Sequence, residues 1–232
     1  MAGTNGFFEA ESLFGTLTGW TPQDGVQKNV TKQVGIVLKA NGDFLASQDY
    51  DEKEEISVPY KANASGVTIP SAGSILNGYH VDSVSVTFSQ NDFVAMVVNG
   101  HKHTTGNADS NCRVYAPTIG TVGGWGCPSS LGPFAVGEQA VGVRSMTYNL
   151  QVNHKDELDG VGHHFAGDNY DGTETLAVDL TGAGTFAGAD GWHLDTNGLN
   201  KGNTGATTSS ATYTKHLQGT YPSESQSSGS GS

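Results

Sequence analysis

With 232 residues, 33 of them glycine, and only 15% charged side chains, the chain holds few of the Ala, Leu, Glu and Lys clusters that build helices, and its composition favours strands and turns. A formal net charge of −12, from 23 acidic and 11 basic residues, argues against a protein that grips nucleic-acid backbones or anionic membranes, since both need clustered Lys and Arg. The opening stretch MAGTNGFFEAESLFGTLTGW lacks the basic start and apolar run of a secretion signal, and no later stretch is long and apolar enough for a membrane span. Synthesis in a cytoplasm is therefore expected, with Cys112 and Cys127 as free thiols that serve packing.

In chain order, residues 1–29 read as an N-terminal arm, in which GFFEAESLFGTL is the best short-helix candidate. Residues 30–103 read as a first β unit. VGIVLKA, the turn NGD and FLASQDY make a hairpin, because Asn-Gly supplies the positive φ that tight hairpin turns need. EEISVPY continues as a strand with Ile56 and Val58 on one face, and Pro59 ends it or places it at an edge. After the loop KANASGVTIPSAGS, the alternating run YHVDSVSVTF slips phase once, which predicts a bulge at Asp82 and Ser83. SQND is a turn, and the near-continuous apolar run FVAMVVNGHKH reads as a strand buried on both faces.

Residues 104–142 form a long loop rich in Gly and Pro; loops of this length carry function or make subunit contacts, and Tyr115, Trp125 and Phe134 are the expected assembly contacts. Residues 143–217 read as a second β unit, with strands in VRSMTYNLQVNH, TETLAVDLTG and ATYTKHL. Residues 218–232 have the composition of a flexible linker. The expected fold is all-β, an antiparallel sandwich or barrel with long Gly-rich loops and little helix.

One phrase occurs twice. ASQDYDEKEEISVPY (46–60) aligns with AGDNYDGTETLAVDL (166–180), matching Tyr50 with Tyr170, Asp51 with Asp171, Glu54 with Glu174 and Val58 with Val178. Shared strand grammar or an internal duplication both account for it.

Candidate chemistry is sparse. His101 and His103 stand two apart on a strand, so both imidazoles share a face and form half of a metal site. The adjacent pair His163 and His164 would point in opposite directions on a strand. Asp156, Asp159, Asp168, Asp171 and Glu174 lie among glycines and offer the hard oxygen ligands of a calcium site, although their spacing fails the EF-hand pattern and the same residues are ordinary turn formers. A glycosidase pair could be drawn from the same carboxylates. The chain has no G-x-S-x-G elbow, no P-loop and no dinucleotide fingerprint, so an enzyme is disfavoured, no catalytic residue is assigned, and calcium is the sole cofactor considered.

The succession ANGD, ASQDYDEKEEISVPY, IPSAGS and YHVDSVSVTFSQNDFVAMVVNGHKH, over residues 30–103, resembles virion proteins of tailed bacteriophages, especially the β-barrel proteins of tail tubes and head-to-tail connecting rings. The chain departs from tube proteins in lacking a clear helix beside the barrel. The resemblance implies a protein made in the host cytoplasm and built into the virion. Copies of itself in stacked rings and other virion proteins would be its partners, and DNA would pass through without specific binding. Duplicated halves would place six units in a ring of three chains; a single sandwich would need six chains. A calcium-dependent carbohydrate- or receptor-binding sandwich, using loops around Trp125 and Trp192, and a capsid decoration protein are the alternatives.

Overall fold

The computed structural model describes residues 13–110, 112–135, 142–182, 184, 186–201 and 207–221. Ten of its strands make one antiparallel sheet: β1 (Trp20–Pro22), β2 (Gln27–Leu38), β3 (Phe44–Ala62), β5 (Ile75–Leu76), β6 (Tyr79–Ser89), β7 (Ala95–His103), β11 (Gly142–Leu158), β12 (His164–Thr181), β13 (His193–Asn200) and β14 (Thr208–His216). Two short pairs lie outside it, β4 (Gly66–Val67) with β8 (Val122–Gly123) and β9 (Ser130–Leu131) with β10 (Phe134–Ala135). The all-β expectation holds; most of the proposed N-terminal helix falls in residues 1–12, outside the described residues.

Strand alternation sends one face of this sheet inward. A single row of partners, Tyr60, Met96, Val86, Tyr148, Leu176 and Tyr213, crosses six adjacent strands and is buried throughout. Each such side chain contributes about 1.5–3 kcal/mol of burial. The opposite face carries Ser57, Asn99, Ser83, Asn149, Thr175 and Thr214, some joined across strands, as Asn99 donates to Ser83 at 3.0 Å. The run FVAMVVNGHKH is thus fully buried on one face only: Met96 and Val98 lie in the core, while Val97 is half-exposed.

The loops close the apolar face. Val67, Ile69, Ala72, Tyr115, Val122, Leu131, Phe134 and Trp192 all join the core. Of the three aromatics of residues 104–142 expected as assembly contacts, Tyr115 and Phe134 are instead drawn into the chain's own core, and only Trp125 is exposed, edge-on to Phe93. The tail is tied in at Val114 and Thr220, which bridge as antiparallel partners; residues 222–232 lie outside the described residues.

The repeated phrase is a duplicated architecture. β2-β3-β7-β6 and β11-β12-β14-β13 have the same neighbour order, and β6 pairs with β11 to join the two into one sheet. The two hairpins match residue for residue at a separation of 120 positions. Leu38 pairs with Phe44 as Leu158 does with His164, and the Lys39–Asp43 turn repeats in Asp159–His163 with Gly42 and Gly162 at φ 88 and 85. Both hairpins bulge at the same place, and Asp51 and Asp171 each take φ 52 there. The following strand pair matches at 113: the bulge between Val81 and Ser83, where the phase slip predicted one, recurs between Leu194 and Thr196. Hence the two β units are halves of one sheet.

Pro59 sits inside β3, an interior strand, rather than at an edge or a strand end. It is tolerated because β3's outer partner changes there, β2 pairing up to Ser57 and β1 beginning at Tyr60, so its missing N–H breaks no ladder bond.

Candidate functional site

At one end of the sheet, β3, β6, β7, β11 and β12 each turn polar side chains into the interior. The local cause is a pattern of alternate residues: His80 with Asp82, His101 with His103, Asp51 with Lys53, and His154 with Asp156 all stand two apart, so each pair shares the inward face. The segment after β7 crosses above them. Asn107 donates its N–H to the His164 carbonyl at 2.8 Å, and this crossing delivers Asp109 and Cys112 to the same interior. Five of the chain's eight histidines, His80, His101, His103, His154 and His164, are buried or nearly so here.

Asp156 and Asp109 are the hubs. Asp156 Oδ1 lies 3.0 Å from His103 Nε2, 2.9 Å from His154 Nε2 and 3.6 Å from His164 Nε2. Asp109 oxygens lie 3.7, 3.5 and 3.3 Å from the same three nitrogens. One donor atom from each of these five residues falls within 4.8 Å of every other. A second, adjoining group is His80, Asp82 and His101, in which Asp82 Oδ1 meets His80 Nδ1 at 2.9 Å and His101 Nδ1 at 2.8 Å. His80, Cys112 and His154 make a third. Lys53 bonds Asp156 and lies 3.5 Å from Asp51.

Burial opposes charge on these imidazoles, yet hydrogen bonds to Asp109 and Asp82 push His101 up to about 9, and those to Asp109, Asp156 and Asn169 push His154 up to about 10. Burial likewise opposes the carboxylates, but the surrounding histidines, with Lys53 at Asp156, hold Asp109 and Asp156 well below the usual range. Burial and the neighbouring aspartates push the Cys112 thiol up to about 12, so it stays a protonated thiol; Cys112 and Cys127 are both free.

The sequence-based metal pair, His101 and His103, lies inside this cluster. The five carboxylates assigned to calcium do not meet. Asp156 belongs to the histidine cluster, and Asp159 caps the hairpin turn by accepting from Val161 and His163 N–H groups. Asp168 pairs with Arg113 and Tyr221, and Asp171 lies 3.3 Å from His216 Nδ1. Glu174 is fully buried further along β12, accepting from Thr118 and Tyr148. Sequence reasoning missed His80, Asp82, Asp109, His154 and His164. A signal for three of these, His80, Asp82 and His154, was present in the triplet His-x-Asp at 80–82 and 154–156, which recurs at 193–195.

That third triplet belongs to the second repeat, which carries an exposed partial copy of the site. His193, Asp195, His216 and Asp171 stand where His80, Asp82, His103 and Asp51 stand in the first repeat, and His193 Nδ1 meets Asp195 Oδ1 at 3.0 Å. The copy is open because, among the described residues, β13 has no partner beyond β14, whereas β6 is covered by β11. At the other end of the sheet β2 pairs, among the described residues, only with β3 and is exposed along nearly its whole length. The chain matches no protein-family model and no curated protein.

Proposed function

We propose that the chain is a self-assembling structural protein whose copies join edge to edge into rings, and that stacked rings form a tube of the kind the tailed-phage resemblance implies. The observation that carries this is the tandem repeat within one sheet. The β6–β11 junction inside the chain is a template for pairing β13 of one chain with β2 of the next, because β13 is the counterpart of β6 and β2 of β11. Such head-to-tail pairing uses two different surfaces and closes into a ring when its rotation permits. Three chains would then present six repeats.

The template fixes a register. Gln151 pairs with Ser83 and Leu150 with Val84 within the chain, so Thr31 should face Thr196, and Val30 should face Asn197, across the interface. The residues of β2 and the start of β3 that match His154, Asp156 and His164 are Val34, Ile36 and Phe44, at 49%, 61% and 60% exposure. An exposed apolar edge strand is an aggregation hazard in a monomer and an assembly surface in an oligomer. The Ser, Thr and Asn face of the sheet, together with the net charge of −12, suits a lumen that lets DNA pass without holding its phosphates.

Electron microscopy and light scattering on the concentrated protein test the assembly, and a cross-link tests its register. In a Cys127→Ser background, oxidation of Thr31→Cys combined with Thr196→Cys should give covalent multimers that neither single variant gives. A protein that stays monomeric at high concentration, with no cross-link from the double variant, would refute the reading.

A further inference from the structure

We propose that His103, His154 and His164, through Nε2, with Asp109 and Asp156, bind one divalent first-row transition-metal ion that clasps the two repeats together.

The distances suit a coordination sphere. Ligand bonds of about 2.1 Å put neighbouring donors about 3.0 Å apart in an octahedron and about 3.4 Å apart in a tetrahedron. The six nitrogen-to-oxygen separations between the three histidines and two aspartates run from 2.9 to 3.7 Å. His154 Nε2 and His164 Nε2 are buried, and although His154 Nε2 lies 2.9 Å from Asp156 Oδ1, neither makes a well-directed hydrogen bond among the described residues.

Two of the three outer nitrogens are already held, while His103 Nδ1 is buried 3.8 Å from Asp51 Oδ1. His164 Nδ1 lies 2.7 Å from the Asn107 carbonyl, which can only accept, and His154 Nδ1 lies 2.8 Å from Asn169 Oδ1. Asn169 is itself oriented by donating Nδ2 to the Arg113 carbonyl at 2.6 Å. Both contacts place a proton on Nδ1, so that in the neutral imidazole that ligates a metal Nε2 carries the lone pair facing Asp109 and Asp156, the second-sphere arrangement of metal-bound histidine.

Charge points the same way. Asp51, Asp109 and Asp156 have side chains 8%, 4% and 15% exposed, and Lys53 is the one lysine or arginine paired with them among the described residues. With the histidines neutral, the state in which imidazole ligates a metal, three carboxylates and one ammonium leave two negative charges, which a divalent ion cancels. Three imidazoles with two carboxylates favour zinc, cobalt, nickel or iron over the all-oxygen calcium ion.

The donors span the duplication: His103 comes from the first repeat, His154, Asp156 and His164 from the second, and Asp109 from the segment between them. The partial copy in the second repeat cannot be completed by a neighbouring β2, since Val34, Ile36 and Phe44 stand at the ligand positions. The site should therefore load once per chain in monomer and assembly alike, and the inference stands whether or not rings form.

The test uses the full chain, stripped with chelator and titrated with Zn²⁺ and Co²⁺ by calorimetry, elemental analysis and visible absorption. One equivalent per chain is expected, with Co²⁺ d–d bands of nitrogen and oxygen ligation and no displacement by excess Ca²⁺. A hundredfold excess of Zn²⁺ over Kd should raise the unfolding temperature by roughly 5–10 °C. His164→Gln and Asp109→Asn should each weaken binding at least tenfold, while His216→Ala leaves it unchanged. Wild-type protein that takes up no stoichiometric Zn²⁺ or Co²⁺ overturns the proposal without recourse to any variant. Binding that is undiminished in His164→Gln and Asp109→Asn, or abolished by His216→Ala, overturns it equally.

Discussion

Replacing Glu174 with alanine tests how the sheet holds the long central segment. The carboxylate is fully buried and accepts three hydrogen bonds, from Thr118 N at 2.6 Å, Thr118 Oγ1 at 2.5 Å and Tyr148 Oη at 2.5 Å. Bonds to a carboxylate contribute about 1.5–3 kcal/mol each, so simple loss of three would cost about 4.5 kcal/mol or more. Relief from burying the carboxylate offsets part of this, and a net loss of about 3–5 kcal/mol is expected. Tyr148→Phe removes one donor and leaves the Thr118 pair intact, so about 1–2 kcal/mol should follow. Urea unfolding read by the fluorescence of buried Trp20 and Trp192 measures both, and in a chain of this size the larger loss corresponds to roughly 6–20 °C in Tm. A Glu174→Ala protein within about 1 kcal/mol of wild type, or a Tyr148→Phe loss equal to it, would refute the account of Glu174 as the anchor.

Two further outcomes follow from local geometry. Gly73 sits at φ +81, and a Cβ there would lie 2.3 Å from the Arg113 carbonyl oxygen and 2.5 Å from Asn169 Nδ2. Gly73→Ala should therefore cost about 2–4 kcal/mol, and an unchanged Tm would show that the chain relaxes freely there. Burial opposes charge on Glu54, but hydrogen bonds from Lys28 and Tyr79 outweigh it and lower its pKa. A depressed carboxyl stabilises the fold above its unfolded pKa of about 4.3, and the gain is lost as pH falls through the folded value. Wild type should exceed Glu54→Gln in urea midpoint at pH 6, and the gap should close by pH 3; a constant gap would contradict the linkage.

How much of this was legible beforehand depended on the range of the interaction. The strands, the Asn-Gly hairpin and the bulge beside Asp82 are local events, set by side-chain alternation and turn chemistry, and the sequence carries them openly. The matches of Tyr50 with Tyr170 and Asp51 with Asp171 raised duplication as one of two readings, and the shared strand order decided it. Which strands become neighbours is a long-range matter. The contact of β6 with β11 turned two units into one sheet, and the apolar cover it demanded drew Tyr115 and Phe134 inward from a loop whose composition looked outward.

The candidate site divides along the same line. Two histidines spaced two apart on β7 could be read as half a site from spacing alone, since alternate strand residues share a face. Asp109, His154 and His164 come from segments far apart in the chain, and no spacing rule links them to His103. Their convergence rests on the sheet topology and on the crossing of the segment after β7, which are decided by the burial of one continuous apolar face. The amino-acid sequence by itself therefore determined the local β grammar, the acidity and the repeat. Only the tertiary structure decided where the repeats join, which edges stay open and which side chains meet, because those depend on contacts such as Ser89 with Ser145 and His103 with Asp156, between residues more than fifty positions apart.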